Sequence, residues 1–101
     1  MASRIIRWDK RALNQFNAAI KYIAKDSIQN AEKVRKDILS KTERLIANPE
    51  IFPPDKYKEN NDGNFRAFEL HHYRLSYHVS EKEIRILRVR HTSALVRVRK
   101  K

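Results

Sequence analysis

From residue 10 the chain carries Leu13, Phe16, Ile20 and Ile23 at helical spacing, with Ala12 and Ala19 alongside. That stripe predicts an amphipathic helix over 10–25, with Asp9 placed to cap it. Lys25-Asp26-Ser27 breaks the pattern, and Ser27 or Asn30 can cap a second helix striped by Ala31, Val34, Ile38, Leu45 and Ile46. Asn48-Pro49 ends that helix, because a residue before proline is driven out of the α region. The short break between two long amphipathic stretches implies an antiparallel helical hairpin.

On either side of the hairpin the period changes. "SRIIRW" (3–8) is β-rich and reads as a strand. Residues 50–64 read as a loop, stiffened by Pro53-Pro54 and turned near its end by Asp62-Gly63. Three period-two runs follow, "FRAFEL" (Phe65–Leu70), "YRLSYHV" (Tyr73–Val79) and "IRILRV" (84–89). Connections as short as 71–72 and 80–83 make these three antiparallel neighbours. In the second run Tyr73, Leu75, Tyr77 and Val79 share one face, and Arg74, Ser76 and His78 the other. In the third, Leu87, Val89 and His91 alternate with Arg88 and Arg90, but Ile84 and Ile86 then fall on the arginine side, which leaves its starting phase open. "ALVRVR" (94–99) reads as a last strand or as a tail.

The fold class is therefore α+β, in the order β-α-α-β-β-β. An antiparallel sheet carries the N-terminal helical hairpin on one face and leaves the other face open. One domain spans 1–93, and 94–101 is a basic C-terminal strand or tail.

Charge gives the open face its interest. The chain of 101 residues has 23 Lys+Arg against 12 Asp+Glu, a net charge of +11, which favours polyanions and acidic partners. From Arg85 to the end there is no acidic residue. There is no cysteine, which removes disulfides, thiol nucleophiles and cysteine-held zinc and suits a reducing cytoplasm. No apolar run is long enough for a signal peptide or a membrane span, so a cytoplasmic protein without a membrane partner is expected. A single glycine cannot build a dinucleotide fingerprint or a P-loop.

The candidate binding face consists of Arg66, Arg74, Arg88 and Arg90 with His78 beside them, and Arg97 and Arg99 extend it along the tail. Arginine forks take phosphate or carboxylate bidentately, although polar residues on an open sheet also simply meet water. A catalytic reading is available too. Glu59 and His91 would act as base and acid in phosphodiester cleavage by a ribose 2′-OH, with Arg66 and Arg74 stabilising the transition state and no metal or cofactor required. His71, His72 and His78 match no common zinc spacing, and Ser76 and Ser93 lack the glycine elbow and third member of a hydrolase triad. Tyr73 and Tyr77 belong to the core-facing side rather than to a base-stacking platform.

Two long stretches, "YIAKDSIQNAEKVRKDILSKTERLIANPE" and "GNFRAFELHHYRLSYHVSEKEIRILRVRHTS", together resemble the RelE/ParE superfamily of toxins from bacterial type II toxin–antitoxin, or plasmid-stabilisation, modules. The likeness runs from Trp8 to Ser93 and is carried by Tyr22–Ala24, Ser27, Ala31, Leu45, Asn48-Pro49, Arg66, "YRLSY" and "ILRVRH". It implies a growth-inhibiting protein silenced by a cognate acidic antitoxin. One branch of the superfamily cleaves mRNA on the translating ribosome, and the other inhibits DNA gyrase. Arg74 matches the transition-state arginine of the RNase branch and Arg66 falls near one of its lysines, but Phe68 and Thr92 stand where that branch has basic residues. The resemblance is thus closer to ParE. It implies gyrase inhibition without catalysis, with a ribosome-dependent endoribonuclease and a non-toxic nucleic-acid-binding module as the alternatives.

Overall fold

The computed structural model describes residues 4–93. Segment 94–101, with Arg97 and Arg99, lies outside the described residues. Strand β1 (Ile5–Trp8) leads into helices α1 (Lys10–Ala24) and α2 (Ile28–Ala47), followed by strands β2 (Phe65–Leu70), β3 (Tyr73–Val79) and β4 (Glu83–His91). The helix limits follow the local chemistry. Ser27 caps α2, its hydroxyl accepting from the Asn30 amide at 3.0 Å. Asp9 occupies the cap position of α1, but its carboxylate makes no cap bond and accepts from Arg85 instead, at 2.8 Å.

The hairpin buries one stripe against the sheet. Ala12, Phe16, Val34, Ile38 and Leu45 meet Phe68, Leu75, Tyr77, Val79, Ile84, Ile86 and Val89 in one core. The stripe of α1 is rotated from the expected one: Ala12 is fully buried and Leu13 is 44% exposed. Thr42 takes an inner position on α2 as well, and its hydroxyl is satisfied by the Leu39 carbonyl at 2.7 Å.

The sheet order is β1-β4-β3-β2, and it is mixed rather than wholly antiparallel, because β1 runs parallel to β4. Only β2, β3 and β4 are joined by the short turns that force opposite directions. The helical hairpin separates β1 from them, and so long a connection permits a parallel return. His71 and His72, both at positive φ (53° and 69°), form the tight turn between β2 and β3.

A β-bulge in β4 settles the open phase of that strand. Ser76 pairs with Arg88 and Tyr77 with Ile86, so Leu87 is an extra residue on the β4 side. Ile84 and Ile86 can therefore be fully buried ahead of the bulge while Val89 is buried after it. Leu87, expected beside Val89, lies instead on the open face with Arg88. The Val89 amide, beyond the reach of the four-residue β1, donates to the Gln15 side chain of α1 at 2.8 Å.

Candidate functional site on the open face of the sheet

The open face is built from β3 and β4 with the 50–64 loop folded over one side. Asn61 organises that loop: its Nδ2 donates to the carbonyls of Asp55 and Phe65, and its Oδ1 accepts from the amides of Gly63 and Phe65. Gly63 takes a φ of 97°, which a side chain would resist. The Asp55 amide then donates to the Phe65 carbonyl at 2.7 Å, which fixes the loop to the sheet edge.

This anchoring delivers Asp55 to Arg74. The Arg74 guanidinium donates from Nη2 to Asp55 Oδ1 at 2.8 Å and from Nη1 to Glu69 Oε2 at 2.9 Å, and it lies over the Tyr57 ring. The side chains of Arg74 and Asp55 are each only 12% exposed. Arg74 is thus a cation whose charge is met from within the fold.

Arg88 and Arg90 differ. Arg90 stands in register with Arg74, and Arg88 with Ser76. These side chains line a hollow of about 310 Å³ together with Asp55, Tyr57, Lys58, Phe65 and Leu87. Neither Arg88 nor Arg90 has an ion-pair partner among the described residues, whereas Arg7, Arg74 and Arg85 of the same sheet are all paired. Burial, and then the nearby charges of Arg90 and Arg11, push Arg88 below the ordinary arginine value.

The other sequence candidates do not converge on this hollow. Arg66 was expected beside Arg74, but the register sets it against Tyr77 on the core-facing side, and its Nη1 donates to the Phe52 carbonyl at 2.6 Å. An odd offset between paired strands reverses the face, which the spacing within β2 alone does not reveal. His78 does lie on the open face, against the Phe65 ring at 4.5 Å, but it pairs with Arg85 and stands off the hollow. Glu59 is exposed in the loop. His91 is on the helix side, edge-on to Tyr73 and stacked with His72, with Nδ1 bonded to Ser93 Oγ at 2.8 Å. His71 donates to Asp37 of α2 at 2.7 Å. Among the described residues no group of three or more His, Asp or Glu is placed to hold a metal ion. Asp55, Tyr57, Lys58, Phe65 and Leu87 are site residues that sequence reasoning missed. The loop residues carry no periodicity, and Leu87 changes face only through the bulge.

A hairpin of helices sealing one side of a small mixed sheet, with arginines left on the other, is the architecture of the RelE/ParE superfamily toxins. Within it, the sequence matches over residues 6–96 the family described as ParE toxin of the type II toxin–antitoxin system parDE, and the chain belongs to that family. A solved chain from the chromosomal ParDE toxin–antitoxin system of P. aeruginosa has the same fold: the TM-score is 0.70 at 20% identity, covering 87% of this chain and 95% of that one. No curated protein matches the sequence. The chain is a type II toxin of the ParE branch. Among the described residues no helix is long and apolar enough to cross a membrane.

Proposed function

We propose that this toxin arrests growth by inhibiting DNA gyrase through protein–protein contacts, without bond-breaking chemistry of its own. In this reading a cognate acidic antitoxin silences it in the cytoplasm by covering the basic sheet face and the helical hairpin. The observation that carries the non-catalytic reading is the dispersal of the cleavage set. Arg74 is neutralised by Asp55 and Glu69, Arg66 faces the other way onto Phe52, His91 lies on the helix side against Tyr73, and Glu59 is exposed and does not line the hollow. A general acid–base pair must share one substrate pose, and these side chains do not. The charge of +11 favours rapid capture by an acidic chain, and an antitoxin segment that orders on binding can wrap two surfaces at once.

The test is supercoiling of relaxed plasmid by purified gyrase. Added toxin suppresses the supercoiled product, and added antitoxin restores it. Unhindered supercoiling, together with cut mRNA in a translating extract and loss of that cutting in Arg74→Ala, would replace this reading with the endoribonuclease one. Harmless induction in a host without antitoxin would favour a non-toxic nucleic-acid binder.

A further inference from the structure

The arginines of the open face divide into two kinds. Arg74 and Arg85 each make two bonds to carboxylates. Arg88, Arg90 and the neighbouring Arg11 of α1 have no ion-pair partner among the described residues, and they repel one another at Arg88. Partly burying a cation among like charges costs free energy that nothing within the described fold offsets. The bulge at Leu87 enforces this arrangement, since in a regular strand running through Leu87, Arg88 would alternate to the core side with Ile86. Bulges that re-aim one side chain are concentrated beside functional sites.

We infer that the hollow bounded by Arg88 and Arg90 is a nucleotide pocket, in which the two guanidiniums take the phosphate and Leu87 and Phe65 form the wall against which the sugar or base rests. A doubly charged tetrahedral group suits several converging forks better than a single carboxylate, which would neutralise only one of them. Ser76, in register with Arg88, adds a hydroxyl at the floor, and the Lys58 amine lies 4.5 Å from the Phe65 ring centre at the rim. At about 310 Å³ the hollow stands at the small end of the range for small-molecule sites, and it is part apolar and part cationic, as a nucleotide is. Asp55 lines the hollow too, but its carboxylate is held by Arg74, as is that of Glu69, which lies across Arg74 from Arg90. The pocket does not depend on the gyrase reading, because an intact nucleotide can be held by a toxin of either branch.

The experiment is calorimetric titration of the purified toxin with AMP, adenosine, inorganic phosphate and hexaglutamate, repeated on Arg88→Ala, Arg88→Lys and the remote exposed control Arg35→Ala. AMP binds, adenosine does not, and phosphate alone binds about ten-fold more weakly for want of the apolar wall. Arg88→Ala weakens AMP by about ten-fold or more, Arg88→Lys by less because it keeps the charge without the fork, and Arg35→Ala leaves it unchanged. Arg88→Ala also melts no lower than the parent, which separates lost binding from lost folding. An octathymidylate carrying a 5′-phosphate, titrated the same way, identifies the source: tighter binding than AMP marks the phosphorylated end of a nucleic-acid strand, weaker binding a free nucleotide, and either ordering upholds the pocket. No binding of AMP, equal loss in Arg35→Ala and Arg88→Ala, or capture of hexaglutamate in place of AMP would overturn the inference.

Discussion

Arg66 and Arg74 stand on neighbouring strands yet project from opposite faces of the sheet. Arg66 is in register with the buried Tyr77 and Arg74 with the exposed Glu69. Each guanidinium ties the same loop to the sheet from its own side, Arg66 through the Phe52 carbonyl and Arg74 through the Asp55 carboxylate. The loop that walls the hollow is therefore held by two clamps, and its position depends on both.

Removing the open-face clamp strands a carboxylate. In Arg74→Ala the Asp55 side chain, 12% exposed, loses its cation, and the expected loss of stability is about 2 kcal/mol. Glu69 is 48% exposed, so Glu69→Ala costs about 0.5 kcal/mol at most. Urea unfolding of both variants, with an Asp55/Arg74 double-mutant cycle, checks the ordering.

Tyr77 controls the alkaline limit. Burial raises its phenol from 10.0 to about 12, and its hydroxyl donates to the Pro49 carbonyl at 3.0 Å. Between those two values the unfolded chain releases a proton that the folded chain keeps, so stability falls as pH rises from 10 towards about 12. Tyr77→Phe is expected to lose about 1 kcal/mol at neutral pH and to flatten that alkaline fall, as read by denaturant midpoints across the range.

Asp37 acts at the acid end. Its bonds from His71 and then Lys33 hold the carboxyl below its ordinary 3.8. A carboxylate with a lowered folded value stabilises above its unfolded value and loses that contribution as pH falls through the folded one. The difference in melting temperature between the parent and Asp37→Asn should be present at neutral pH and close as acid is added from about pH 4 down through the lowered folded value, beneath which both side chains are uncharged.

The turn between β2 and β3 can be relaxed. His72 holds a φ of 69° without the freedom of glycine, which is the favoured second residue of such a turn. His72→Gly is expected to raise stability by about 0.5 to 1 kcal/mol in urea unfolding. His71→Gly should gain less, because it also gives up the bond to Asp37.

Much of this architecture is readable in the sequence. Apolar spacing and Asn48-Pro49 locate α1 and the end of α2 to within a residue, with the start of α2 left between Ser27 and Asn30, and strict alternation assigns the faces of β3, where Leu75, Tyr77 and Val79 are buried. What escaped depends on information beyond the local period. The direction of β1 depends on a partner almost a whole chain away. The face of Arg66 depends on register with β3, and the alternation of β4 breaks at a single inserted residue. The loop residues of the hollow have no period, and the bonds of Asn61, the Asp55 amide, Arg66 and Arg74 bring them to the sheet.

The parallel pairing of β1 with β4 carries a temporal consequence. Ile5, Ile6, Arg7 and Trp8 find their partners at Glu83, Ile84, Arg85 and Ile86, so β1 waits for the last strand described. Such distant closure is slow. A nascent chain halted anywhere before β4 lacks the strand that anchors its beginning, and with it Arg88 and Arg90. The poison is incomplete until β4 has been made.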